Sequence, residues 1–201
     1  FQTVEEWKLP LIRKAAHKAL RKAKLRKEID EFRKRESFWI EDYAMFMVLY
    51  DKYYDARWHT VWDDGESRRD PEVLSDIRKK YRKDIDAYVA MQYLFDMQIK
   101  ELRKHVRELG IRIIGDIPIF AGADSADTWS HIELFKTDSE GHYSAVSGVP
   151  PDGFSPTGQL WGNPVYDWEV HEKTGFRWWK ERIRRTLEMA DIIRIDHFRG
   201  L

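Results

Sequence analysis

The sequence contains no cysteine. Disulfides and thiolate-bound zinc are therefore excluded, and the composition suits a reducing compartment, so the expected location is cytoplasmic. The single asparagine, Asn163, is followed by proline, which leaves no glycosylation sequon. No apolar run approaches the ~20 residues that a membrane span needs, and the first residues lack a signal-peptide pattern. Net charge is missing too: 35 Lys and Arg oppose 35 Asp and Glu, which removes any global electrostatic case for nucleic acid or an anionic membrane. Neither is an expected partner. No initiator methionine stands at Phe1, and the chain stops a few residues after its most informative strand, so both ends read as cut. What the 201 residues do hold is 42% apolar content and nine tryptophans, enough for one or two domains with a real core.

The first half reads as helix. Helical periodicity runs from Thr3 to Arg35, with Thr3 and Glu6 as a capping box. Lys and Arg repeat between Arg13 and Lys27, over a thin apolar stripe of Leu11, Ile12, Ala15, Ala19 and Leu25. A solvated helix face is the plainer reading of that stretch, and a nucleic-acid arm the alternative. Ser37 is placed to cap a helix running through Phe38 to Tyr50, apolar nearly all round and so the centre of a helical bundle. Tyr53, Tyr54, Trp58 and Trp62 follow, as core packing or as flat platforms for a sugar. Asp63-Asp64-Gly65-Glu66-Ser67 and Asp70-Pro71 mark a break, without the spacing of a calcium loop. Helix resumes near Pro71, pauses around Asp84 and ends at Leu109, closed by Gly110. Tyr88, Met91, Tyr93, Leu94, Phe95, Ile99, Leu102 and Val106 supply its packing side.

Two short segments then change the pattern. Ile111-Arg112-Ile113-Ile114-Gly115-Asp116 and Asp191-Ile192-Ile193-Arg194-Ile195-Asp196 each read as a buried strand ending in aspartate. A helix from Thr174 to Met189, with Phe176, Trp179, Ile183 and Leu187 on one face, precedes the second. Helix, strand, long connection, helix, strand is the order of a parallel α/β sheet or barrel. Period-two geometry puts Ile192, Arg194 and Asp196 on one face. An arginine and an aspartate there are costly in a core unless they pair or do chemistry. The C-terminal end of such a strand is where parallel α/β active sites sit, which makes Asp196 a candidate catalytic carboxylate with Arg194 holding it ionised. A capped, paired strand end without chemistry is the competing reading.

The connection from Ile117 to Lys173 is unusually long, and a structureless loop of that length is rare unless it is functional. It interleaves Trp129, Phe154, Trp161, Tyr166 and Trp168 with Asp152, Ser155, Gln159 and Asn163. Flat rings alternating with hydrogen-bonding groups suit a ligand with C–H faces and a hydroxyl rim, the character of a sugar. A lid packed on its own aromatics is the alternative.

Several stretches in this region, taken together, resemble one family. They are Gly115-Asp116-Ile117-Pro118-Ile119-Phe120, Asp124-Ser125-Ala126-Asp127-Thr128-Trp129, Glu133-Leu134-Phe135, Gly148-Val149-Pro150-Pro151-Asp152, Gly158-Gln159-Leu160-Trp161-Gly162-Asn163-Pro164 and Arg194-Ile195-Asp196-His197-Phe198-Arg199-Gly200. In order and spacing they resemble the amylomaltases, which are 4-α-glucanotransferases or disproportionating enzymes, a branch of the α-amylase-like barrel enzymes. The similarity is clear over about residues 90 to 201 and loose before that. Asp63 follows Trp62 where the family has proline, and Ala121-Gly122-Ala123 is smaller than usual before Asp-Ser-Ala-Asp.

The resemblance implies an α/β fold: a portion of a (β/α)8 TIM barrel, its third and fourth strands, with a mainly α-helical inserted subdomain. The expected domains are residues 1–84 as that subdomain and 85–201 as the catalytic barrel segment, with an active-site lid loop over 117–173. Asp196 would be the nucleophile that forms a covalent glucosyl-enzyme, and Arg194 would orient it. Asp116 would shape the donor-sugar site, and Asp152, Phe154, Gln159 and Trp161 would belong to the lid over the glucan. His197 matches the motif, as a hydrogen-bonding partner of substrate or as structural support. The implied chemistry is a retaining double displacement on maltooligosaccharides and α-1,4-glucans, with no metal and no cofactor. Such chemistry needs a second carboxyl as acid and base, and the family carries it on the next barrel strand. Glu133 and Glu172 are poor substitutes, so the chain is expected to be a piece that needs the remainder of its barrel and is inactive alone. A non-catalytic α-glucan-binding segment and an amylase-like hydrolase are the alternatives.

Overall fold

The computed structural model describes residues 2–201, and its contacts divide them into two units. One takes the residues up to Asp55 together with Val61–Gly110; the other takes Ala56–Thr60 with Ile111–Leu201. The boundary therefore falls after Gly110 and not at residue 84, because the long helix that follows packs with the helices before it.

In the helical unit, the expected single helix to Arg35 is two: α1 (Gln2–Leu20) and α2 (Ala23–Arg35). Lys22 is extended between them, and the bend lets Ala16 and Ala19 of α1 and Ile29 and Phe32 of α2 reach one core. Thr3 lies inside α1 and so caps nothing. Ser37 is not a cap either: α3 spans Ile40–Tyr53 and begins after Trp39. The turn before α3 is held by Glu36, whose buried carboxylate accepts from Trp39 Nε1 and Arg35 Nε, both at 2.9 Å. α3 buries Ile40, Ala44, Met45, Phe46, Val48 and Leu49, as its apolar composition predicts. Trp62 is core and not a platform: it is buried, stacks on Tyr53 and donates to the Asp55 carbonyl at 2.8 Å.

The acidic break folds as a single turn, α4 (Asp64–Ser67), in which buried Glu66 meets Lys52 at 2.8 Å and the Tyr53 hydroxyl at 2.7 Å. α5 (Pro71–Lys80) starts where proline at N1 predicts, with Asp70 accepting from the amides of Glu72 and Val73. The interruption falls at Tyr81 and not at Asp84, and α6 runs Arg82–Glu108. Gly110 follows at φ +74°, a left-handed position that suits glycine. On α6, Tyr88 and Tyr93 are buried as expected, but Phe95 and Leu102 are exposed. Buried Asp96 occupies that helix face instead, satisfied by Arg35 at 3.0 Å and Lys100 at 2.7 Å.

The second unit is built on β1 (Ile114–Ile117), which is shorter than the sequence suggests. The connection that follows is folded, against its reading as one structureless lid loop. Ser125 and Thr128 form a reciprocal capping box at the start of α7 (Ala126–Ser130). Strands β2 (Val146–Val149) and β3 (Gln159–Pro164) make an antiparallel hairpin, and Asp167 caps α8 (Trp168–Lys173). At the hairpin, a Cβ on Gly148 or Gly158 would sit 2.5 Å from a backbone oxygen, so the strands close only with glycine. Trp58 belongs to this unit and is also core, donating to the Ala123 carbonyl at 3.1 Å. α9 spans Arg177–Met189 and leads into β4 (Ile192–Ile195). Helix α9 starts after Phe176, which is left-handed, and buries Trp178 and Trp179, whereas Phe176 and Leu187 are exposed.

β1 and β4 pair in parallel, Ile114 opposite Ile192 and Asp116 opposite Arg194. The strands are half-buried and not buried on both faces. Gly115 and Ile117 turn inward, Gly115 against Ala190 and Thr186 of the α9 end, while Ile114 (67% exposed), Asp116, Ile192 and Arg194 share the open face. Among the described residues the sheet has only these two strands, which is why the alternation is visible.

Two predictions follow from this packing. A Cβ on Gly115 would lie 2.7 Å from that of Ala190. Gly115→Ala should therefore cost about 1–3 kcal/mol in denaturant unfolding, and Ala190→Gly should recover part of it as a second-site change. Fully buried His171 sits among Tyr166, Trp168 and Trp178, and among the described residues neither ring nitrogen has a hydrogen bond of good geometry, the Leu134 carbonyl being only a weak neighbour. Burial lowers its pKa; the Leu134 carbonyl, Asp167 and Glu133 oppose that more weakly. The unfolded chain then binds this proton first, so stability is full above the ordinary histidine value and falls as pH drops below it, by at most about 1.4 kcal/mol per pH unit. His171→Phe should flatten that acid limb in thermal melts, and an unchanged limb would refute the assignment.

Candidate active site

The open face of the parallel pair carries the charged groups, and the register sets their spacing. Asp116 and Arg194 are cross-strand neighbours, so the guanidinium meets the carboxylate as a fork: Nε to Oδ1 at 3.0 Å and Nη2 to Oδ2 at 2.6 Å. The same Nη2 reaches Asp196 Oδ1 at 3.5 Å. Arg194 thus bridges the two aspartates, with its stronger contact on Asp116. That hydrogen bond, ahead of the bare charge, lowers the Asp116 pKa and raises that of Arg194. Asp116 is an anionic acceptor here, unsuited to donating a proton near neutrality.

After Asp196 the chain turns sharply. His197 adopts the left-handed region at φ 49°, and a 3-10 turn follows over Phe198–Gly200. The turn presents the His197 ring edge-on to Trp161, centroids 4.8 Å apart. A Cβ on Gly200 would lie 3.0 Å from His197 Cδ2 and 3.4 Å from Phe120, so this glycine allows the turn to close over the segment leaving β1. Trp161 is 37% exposed, tilts against Phe120 and donates its Nε1–H to Gln159 Oε1 at 3.0 Å. Asn163 donates to the Ala121 carbonyl at 3.1 Å, which ties β3 to that same segment.

The residues named from the sequence therefore fall into three groups. Asp116, Arg194 and Asp196 are in mutual contact through the arginine, and Gln159, Trp161 and His197 form a second contiguous set. Asp152 and Phe154 stand apart, in the turn between β2 and β3. There Asp152 Oδ1 accepts from the amides of Phe154 at 2.8 Å and Ser155 at 2.9 Å, leaving the Phe154 ring 96% exposed.

Two contributors were not singled out. Phe120 is the ring on which Trp161 leans. Arg182 lies over Trp178 and Trp179 and donates to the carbonyls of Pro118 at 2.6 Å and Ile119 at 3.4 Å, just beyond Asp116. Its signal was present in the helical spacing from Trp178, but nothing local marked its acceptors. Among the described residues no cluster of His, Asp and Glu could hold a metal, and no helix is long and apolar enough to cross a membrane.

Sequence and structure comparisons agree on the lineage. The sequence model of a family described as 4-alpha-glucanotransferase matches residues 1–201, and the chain belongs to that family. It is 42% identical over its whole length to a 4-alpha-glucanotransferase of Aquifex aeolicus, covering 40% of that protein. It is 44% identical to a chloroplastic/amyloplastic 4-alpha-glucanotransferase of Oryza sativa subsp. japonica, covering all of this chain and 34% of the relative. An amylomaltase from Streptococcus agalactiae, solved in complex with acarbose, superposes over all of this chain and 39% of its own, with a TM-score of 0.89 at 36% identity. The chain thus spans 34–40% of the length of these relatives.

Because Arg194 is the first cause of the lowered Asp116 pKa, removing its charge has a defined consequence. In Arg194→Gln the Asp116 carboxyl should titrate at higher pH, toward an ordinary aspartate, as followed by carboxyl carbon NMR. A titration that does not move would show that the fork is not formed in solution.

Proposed function

We propose that this chain supplies the nucleophile side of a 4-α-glucanotransferase acting on maltooligosaccharides and α-1,4-glucans. The observation that carries the reading is the grouping at the C-terminal ends of β1 and β4: Asp196 beside a cation shared with Asp116, followed by His197 against the exposed indole of Trp161. The acarbose held by the Streptococcus agalactiae relative gives the ligand class. In this reading β1 and β4 are two neighbouring strands of a (β/α)8 barrel, and the helical unit is its inserted subdomain. The cytoplasmic location rests on the cysteine-free composition alone.

The Asp196 carboxylate attacks the anomeric carbon as the C1–O4 bond breaks, and an acid elsewhere in the full protein protonates the departing oxygen. The 4-hydroxyl of a second glucan then attacks C1, gives its proton back to that group and releases Asp196. Asp116 holds its place as an ionised acceptor near the donor sugar. Trp161 offers an indole for the sugar's C–H face, and Phe154, projecting from the β2–β3 turn, is free to close over it. Water exclusion by these rings favours an acceptor sugar over hydrolysis.

Maltotriose given to the full-length protein should yield glucose and longer maltooligosaccharides, with few new reducing ends. Asp196→Asn should lower the rate by about 10⁴-fold or more, and the 201 residues alone should give no products. Net release of reducing ends would make the protein a hydrolase. Saturable glucan binding without turnover by the full-length protein would favour the binding-segment alternative.

A further inference from the structure

The helical unit encloses a second concave site, with a cavity of about 580 Å³ lined in part by Arg33, Glu41, Ser75, Arg78, Arg82 and Asp86. Four helices, α2, α3, α5 and α6, contribute to it. Its carboxylates are already taken. Arg33 donates through Nε and Nη2 to Glu41, the latter at 2.9 Å, and through Nη1 to Asp86 at 2.6 Å. Asp86 also lies 3.5 Å from Arg26. Lys79, another lining residue, is paired with Asp76 at 3.1 Å. Among the described residues Arg78 and Arg82 have no carboxylate partner, and the Ser75 hydroxyl has no hydrogen-bond partner. Two arginines and a serine therefore line one hollow beside a guanidinium fixed by its own ion pairs.

A solvated arginine on a convex helix face needs no ligand. Here both arginines line a concavity, and its nearby carboxylates, Glu41 and Asp86, are held by Arg33. The planar forks suit phosphate oxygens, and the hydroxyl can add a third donor. The carboxylate oxygens of Glu41 and Asp86 keep acceptor capacity beyond Arg33, which suits hydroxyl donors. The volume is that of a small-molecule site.

We propose that this cavity binds the phosphate monoester of a monosaccharide, the phosphate on Arg78, Arg82 and Ser75 and the sugar hydroxyls on Glu41 and Asp86. The site uses none of the groups around Asp196, so it stands or falls independently of the proposed transfer chemistry. Isothermal titration of the full-length protein with glucose 6-phosphate, and separately with inorganic phosphate, tests it. Glucose 6-phosphate should bind saturably and more tightly than inorganic phosphate. The Arg78→Gln/Arg82→Gln double variant should weaken its binding at least tenfold, about 1.4 kcal/mol, with an unchanged melting temperature. Arg68→Gln, which alters a surface arginine whose contact to Asp64 is 3.9 Å, should bind as the parent does. Absence of saturable binding, or equal losses in the double variant and the Arg68 control, would overturn the site. Equal affinity for the two probes would overturn its sugar half.

Discussion

The contact between Gly115 and Ala190 is the constraint on which the charged face depends. The end of α9 approaches β1 so closely that no side chain fits at 115, and this fixes how β1 lies against the strand that α9 feeds. Parallel pairing then sets Gly115 opposite Ile193 and Asp116 opposite Arg194. A one-residue slip would move every side chain of β4 to the other face and break the fork on Asp116. The electrostatics of the site are thus a consequence of a steric fit one residue away. An interaction between exposed charges contributes little to stability by itself, so the fork does not create the register; it reads it.

A second organising element lies in the connection between those strands. Tyr166 is 1% exposed, with the rings of Phe120, Phe135, Trp168, Trp178 and Trp179 packed around it and its hydroxyl on the Ile119 carbonyl at 2.8 Å. Arg182 donates to the same hydroxyl at 3.2 Å and to the backbone just past β1. Trp161 leans on Phe120, which stacks on Tyr166, so the exposed indole stands on a rigid column of rings. Rigidity in such a platform lowers the ordering cost of binding. At the hairpin tip Phe154 stands exposed, its backbone held by the Asx turn of Asp152.

How far this was legible in the sequence depended on whether the cause was local. The helix at Pro71, the Gly110 stop and the α7 capping box are spelled by adjacent residues, the last inside a connection whose composition otherwise reads as loop. The strands were found from their β-branched runs, and their order predicted the parallel pairing. Burial was overestimated because Ile114 and Ile192 are apolar yet lie on the open face; a two-strand sheet does not cover them. The burial of Asp96 in place of Phe95 follows from a partner tens of residues away, Arg35. No window of sequence carries that information. For the candidate site, residue types and order pointed to Asp116, Arg194, Asp196 and Trp161, whereas His197 and the proposed sugar-handling roles came from motif resemblance. That Arg194 grips Asp116 more closely than Asp196 required the register.

That preference bears on how the proposed chemistry must be divided. A retaining displacement needs one carboxylate that stays ionised and one carboxyl that holds a proton. A shared cation pushes in one direction only: it favours the charged form of every carboxylate it touches. Arg194 lies 2.6 Å from Asp116, whose carboxyl it holds below the usual aspartate range, and 3.5 Å from Asp196. In the proposed chemistry Asp196 would be the nucleophile and Asp116 the ionised acceptor. In that proposal the proton comes from a group beyond the reach of Arg194. The proposal therefore assigns the acid to a strand of the full-length protein other than β1 and β4.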